Sequence, residues 1–278
     1  MRREGTSRPW LALSVFAIFG ATTILIVSGL NDVHGVTASV MWRDDKLPDE
    51  VLPDGSPTST PVHAVSIALL PSIGRADAKV TLVVVTDYVC PICESTRPLL
   101  QSLRGSYGED LRIVFKPYAK SPESTPSLTG ACAAALQGEF ERYDEALWRI
   151  GVQAMELYAS VKLPDAARPG CASELGGCRD VSRTARDLGL ESARFASAIK
   201  RCSGVVRANQ VELAKLGVDA PAFFINGRLV DPWGVETPGT FHSLIDVELA
   251  KARRRIASGA SQDRYYQQWV LDVGQTSR

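Results

Sequence analysis

The 278-residue chain has no net charge to steer a ligand: its 31 lysines and arginines cancel 31 aspartates and glutamates. Aromatic and basic residues are not interleaved either, so the footprint of a nucleic-acid-binding surface is missing. Histidine is scarce, and His34, His63 and His242 lie far apart. A zinc site needs about four ligands, usually with a second Cys or His pair at short spacing. Cys171 and Cys178 are too widely separated for such a knuckle, so no metal is expected. There is no internal repeat. What is present is ordinary globular composition, 45% hydrophobic and 22% charged, on a chain long enough to bury its own core.

The first long apolar run is N-terminal. Residues 1–9 carry Arg2, Arg3 and Arg8, and no charged residue occurs from Trp10 to Leu30. About 20 apolar residues cross a bilayer, which predicts a transmembrane signal anchor over 10–30. Arginines before it and Asp32, Asp44 and Asp45 after it place residues 1–9 in the cytoplasm and the remainder outside. A cleaved signal peptide is the alternative, with Val36-Thr37-Ala38 as the cleavage step, although signal peptides usually have apolar cores of roughly 7 to 15 residues. Both readings put the bulk of the chain in an oxidising compartment, in the periplasm, where cysteines pair. Residues 31–63 are proline-rich and aperiodic and read as a flexible tether.

Beyond the tether, Ala64–Leu70 is expected to be a first strand, and the β-branched run Lys79–Val85 a strand buried on both faces. A helical pattern over Pro91–Leu103 and a strand over Asp110–Tyr118 then make a parallel crossover. Residues 122–214 read as several short helices, broken at Gly170, Gly176 and Gly177. Pro221–Val230 reads as a hairpin turning at Asn226-Gly227, and a last helix starts near Thr237-Pro238. The basic run Lys251–Arg255 reads as a solvated helix end, and Asp263–Val270 as one more packed helix.

Within this frame, Cys90-Pro91-Ile92-Cys93 falls between a strand and a helix. Such a pair is a structural staple, half of a metal site or a redox centre. The placement favours redox: Cys90 sits at the N-cap, and Pro91 in the first turn loses nothing by lacking an N–H. Free amides and the macrodipole stabilise an anion there. That anion is the Cys90 thiolate, and thiol pKa values in such seats fall to roughly 3.5–7.5. Cys93, one turn on, is the resolving partner.

The stretch "DYVCPICES" resembles the Cys-Pro-X-Cys site of the DsbA-like thioredoxin-fold oxidoreductases, and "GVDAPAFFINGR" (Gly217–Arg228) resembles their cis-proline segment. "LQGEFERYDEALW" (Leu136–Trp148) resembles their inserted helical region, and Pro98 lies where thioredoxins kink the active-site helix. The resemblance implies an α/β thioredoxin-like fold over residues 64–257 with a helical insertion at about 122–214, a C-terminal tail at 258–278, and the anchor and tether before it. It implies that Cys90 is the nucleophile, Cys93 the resolving cysteine, Pro91 and Ile92 the active-site loop, and Pro221 a cis-proline. A cis X-Pro bond exposes the preceding backbone, so Ala220 is expected to bind an extended substrate chain. Three departures stand out. Ala220 replaces the family's usual threonine or valine, Val84 stands where relatives bury an acidic residue, and Ile92 cannot add a cation beside the thiolate. A weaker oxidant is the expected result, with Asp87 serving as a turn residue.

Four cysteines remain, and in an oxidising location disulfides are the default. Of three pairings, Cys171–Cys178 with Cys132–Cys202 is expected, because the first closes a short local loop and the second joins separate helices of the insertion. The resulting expectation is a membrane-anchored extracytoplasmic oxidase of exported cysteine-containing proteins, regenerated by a membrane redox partner. No organic cofactor is required, because the sulfurs carry the electrons. A reductase or isomerase is the alternative within the class; a non-catalytic thioredoxin-like binding module is the alternative outside it.

Overall fold

The computed structural model describes residues 61–161, 181–230 and 238–277. The anchor at 10–30, the tether up to residue 60 and the Cys171–Cys178 pair lie outside them. Among the described residues no helix is long and apolar enough to cross a membrane.

Five strands form one sheet in the order β1-β3-β2-β4-β5: β1 Ser72–Ile73, β2 Val80–Thr86, β3 Leu111–Pro117, β4 Ala222–Ile225 and β5 Arg228–Val230. β2 and β3 run parallel, and the other neighbours are antiparallel. All seven residues of β2 are buried, as its unbroken Val-Leu run requires of a strand covered on both sides. Val80, Leu82 and Val84 pack with Leu100, Phe223 and Ile245. That layer comes from α2 (Arg97–Tyr107) and α7 (Pro238–Ala257). Val83, Val85 and Phe224 belong to a second core with Cys132, Tyr143, Cys202 and Val206, residues of the helical insertion.

The insertion comprises α3 (Thr125–Ala135), α4 (Phe140–Val161), α5 (Val181–Asp187) and α6 (Ser192–Lys215). It was expected to be a set of short helices, yet α4 and α6 are long. Gly204 does not break α6, since a helix interior tolerates glycine at a cost of about 1 kcal/mol, and Gly170, Gly176 and Gly177 fall outside the described residues. Cys132 of α3 and Cys202 of α6 form a disulfide between two fully buried positions.

One expected strand is absent. Residues 64–70 do not join the sheet, and within them Ser66 gives both its backbone groups to side chains. Its N–H donates to Glu212 Oε1 at 2.8 Å, and its carbonyl accepts from Lys116 Nζ at 2.8 Å. Lys116, fully buried in β3, also donates to Asn209 Oδ1 and to Glu212 Oε2 at 3.1 Å. Burial pulls its ammonium below the usual lysine range, and the Glu212 carboxylate opposes that pull. This polar knot holds α6 to the sheet, and α6 leads directly into Pro221.

The C-terminal segment ends in a π-helical turn, Gln267–Leu271, rather than a regular helix. It packs on the same body. Tyr265 and Val270 are buried, Tyr266 Oη donates to the Val65 carbonyl at 2.8 Å, and Gln275 pairs with His63. Arg255, expected in solvent, stacks over Trp269 at 4.0 Å from the ring centroid.

Candidate active site

The hairpin turn lies at Asn226 (φ 43°) and Gly227 (φ 80°). Two consecutive positive φ values are what an Asn-Gly hairpin turn demands. The turn folds β5 back on β4, whose other edge lies antiparallel beside β2, with Val85 opposite Ala222. This register brings Pro221, at the head of β4, to the end of β2 from which Cys90 follows. The Ala220–Pro221 peptide bond is cis.

Cys90 is the N-cap of α1, Pro91–Ser95, with extended backbone and proline in the first turn. Its sulfur accepts the Cys93 N–H at 3.2 Å, and the two cysteines form a disulfide with Cα atoms 5.2 Å apart. Both are buried, whereas Pro91 and Ile92 face solvent. The helix breaks after Ser95 and resumes at Arg97, with Pro98 in the first turn of α2. A proline there forfeits no helical hydrogen bond, which explains a break with little loss.

Asp87 is a turn residue, as its place in the sequence suggests, but a fully buried one. Its carboxylate accepts Val89 N–H at 3.2 Å and Lys120 N–H at 2.8 Å, and its carbonyl accepts Cys90 N–H at 3.3 Å. Burial raises its carboxyl pKa above the ordinary range, against the lowering effect of those amides. Asp87 thus ties the turn leading into Cys90 to the loop after β3.

A second cluster secures the active-site helices to the insertion. Asp144 of α4 accepts from Tyr88 Oη at 2.7 Å, from Trp148 Nε1 at 3.2 Å and from Arg97 at 2.7 Å. Burial outweighs these three donors and pushes the Asp144 carboxyl upward. Tyr88 titrates well above the usual phenol range because it is buried beside that carboxylate. The cluster borders a cavity of about 350 Å³ whose lining includes Val84, Cys93, Arg97, Phe115, Asp144 and Trp148. Val84 therefore presents an apolar wall to the cavity beside Cys93. Among the described residues no group of three or more His, Cys, Asp or Glu side chains is placed to hold a metal.

Residues 70–246 match the thioredoxin family. The chain belongs to the thioredoxin family. Within that fold, a helical insertion separates β3 from β4, and Cys90 and Cys93 form a disulfide at Cys-X-X-Cys spacing. Oxidised BdbD from Bacillus subtilis superposes with a TM-score of 0.52 at 14% identity, covering 69% of this chain and 98% of that one. For α-DsbA1 from Wolbachia pipientis the TM-score is 0.51 at 15% identity, covering 69% and 96%. At these identities the likeness is one of fold. Two curated proteins named Na(+)/H(+) antiporter NhaA 1, from Mycolicibacterium vanbaalenii and Mycolicibacterium gilvum, align over 164 residues at 26% and 27% identity. The aligned part is 58% of this chain and 24% of theirs, so the chain spans about a quarter of the length of the curated relatives it matches.

Sequence reasoning missed several residues around this site. Lys120 donates to the Ala220 carbonyl at 2.7 Å, and Asp219 accepts the Ala220 N–H at 2.6 Å. Tyr88, Arg97, Asp144 and Trp148 were likewise not singled out. Their only sequence signal is position: Tyr88 stands two residues before Cys90, and Asp144 and Trp148 share one helix face at the i, i+4 spacing.

Proposed function

We propose that the protein is a membrane-anchored, extracytoplasmic dithiol oxidase that introduces disulfides into exported proteins through Cys90 and Cys93. The observation that carries this reading is the seat of the Cys90 sulfur, which caps α1 and accepts the Cys93 amide. A thiolate in that seat faces the positive end of the helix. Stabilising the thiolate favours the reduced enzyme, and a pair whose reduced form is favoured is an oxidant.

A client thiolate attacks Cys90 Sγ, the Cys90–Cys93 bond breaks, and Cys93 Sγ departs with the electron pair and takes up a proton. A second client thiolate then attacks the client sulfur of the mixed disulfide and expels the Cys90 thiolate. The client loses two electrons and the enzyme pair gains them. A membrane redox partner takes them back. The uncharged run at 10–30 with arginines on its N-terminal side supports the anchor and its orientation.

The test is the reduction potential of the Cys90–Cys93 pair, with a titration of the Cys90 thiol. A value at the oxidising end, about −120 to −180 mV, supports the oxidase, and about −270 mV transfers the reading to a reductase. In Cys93→Ala the Cys90 thiolate can still attack a disulfide of an exported protein, expelling one client thiolate, and the mixed disulfide should accumulate because the internal thiol that would release it is gone. Capture of none would count against exchange with exported proteins at Cys90.

A further inference from the structure

An extended client docking beside Pro221 would pair its main chain with the N–H and carbonyl of Ala220, two residues before β4. In the structure neither group is open. The carbonyl accepts from Lys120 Nζ at 2.7 Å, and the N–H donates to Asp219 Oδ1 at 2.6 Å. Lys120 Nζ and Asp219 Oδ1 stand 3.5 Å apart and close the pair over the backbone. Ala220 itself is 3% exposed and belongs to the core.

The covering side chains are themselves on the surface, 37% exposed for Lys120 and 64% for Asp219. Exposed ion pairs are held weakly, so the arrangement opens at small cost. The base of Lys120 is nevertheless fixed, since its backbone N–H donates to the buried Asp87 carboxylate at 2.8 Å. A lysine anchored at the backbone and held at its tip by surface contacts alone acts as a hinged cover.

We propose that Lys120 is a specificity-determining residue: its ammonium covers the main-chain ledge at Ala220, and an extended client must displace it before a cysteine can reach Cys90. The inference rests on the reading of Ala220 as the client ledge. A small thiol has no main chain to dock and does not compete with Lys120. Extended thiols are therefore held back relative to small ones, by the margin needed to exchange one hydrogen bond.

The experiment uses the full chain in its oxidised form and follows thiol formation during reduction by two probes, a short unstructured peptide with one central cysteine, and cysteamine. In Lys120→Met the ratio of peptide rate to cysteamine rate should rise about three- to tenfold, the fold-change equivalent of one hydrogen bond. Lys120→Arg keeps a donor in reach and should return the ratio toward wild type. An unchanged ratio overturns the proposal, whether both rates hold steady or move together, since Lys120 then acts elsewhere or on Cys90 directly. A falling ratio also overturns it, because Lys120 would then be a contact that helps clients dock. If wild-type protein is reduced by neither probe, the disulfide-exchange reading itself fails, an outcome distinct from all of these.

Discussion

Replacing Asp144 by alanine removes one carboxylate that serves three donors, and the structure bounds the effect. Tyr88 is buried and its hydroxyl donates to Asp144 at 2.7 Å; the Trp148 indole donates at 3.2 Å. Leaving each buried donor without an acceptor costs about 1–3 kcal/mol. Arg97 is 27% exposed at its side chain and turns to water, so its ion pair adds little. The expected loss for Asp144→Ala is about 3–5 kcal/mol. Asp144→Asn retains an acceptor oxygen and should lose about half as much. Urea unfolding of the oxidised protein measures both, and Tyr88→Phe in the alanine background should recover part of the loss, since one stranded hydroxyl is then removed. The sign of the pH dependence follows from burial. The folded carboxyl is raised above its unfolded value, so the folded state binds more protons, and this contribution is lost as pH rises through the folded pKa. Wild type should therefore compare best with Asp144→Asn at acid pH. A cost below about 1 kcal/mol for Asp144→Ala, or equal costs for alanine and asparagine, would mean that Asp144 is not the acceptor these donors depend on.

Lys116 titrates in the opposite sense. Its folded pKa is lowered by burial, so the unfolded chain binds more protons, and wild type should gain stability relative to Lys116→Met as pH climbs toward the ordinary lysine value of about 10.4. Denaturant midpoints of both proteins across that range give the comparison, and a gap independent of pH speaks against a buried ammonium. Removing the Cys132–Cys202 bond, which closes a sequence separation of 70 residues, by alanine at both positions should destabilise the fold by about 2–4 kcal/mol. Thermal unfolding measures the loss, and the variant's Cys90–Cys93 pair should still exchange with glutathione.

Much of the architecture was legible because it is local. The β-branched run of β2, the Cys90-Pro91 cap of α1 and the Asn226-Gly227 turn each carry their geometry within a few residues. Placing Pro221 near Cys90 drew on the family's order of motifs, and the register of β4 against β2 supplies the physical reason. What escaped was side-chain traffic across long separations. Lys116 sits in "RIVFKPY", where a lysine reads as a strand residue facing water, and nothing nearby announces that Glu212 and Asn209 will meet it. The same partners take both backbone groups of Ser66, so at that residue side chains stand in for a sheet neighbour. Lys120 and Asp219 are distant in sequence and individually ordinary surface charges. Only the fold shows that they share the backbone groups of Ala220.

Under the proposed function, Asp87 makes the reacting and docking halves of the site a single mechanical part. One oxygen of its carboxylate fixes the turn that carries Cys90, and the other fixes the backbone from which Lys120 reaches Ala220. Substitutions in the 118–121 loop made to change which proteins are accepted will therefore also disturb the footing of Cys90. Retuning the turn before Cys90 will in the same way change who is admitted. Partner choice and reactivity can drift together in this protein more easily than apart.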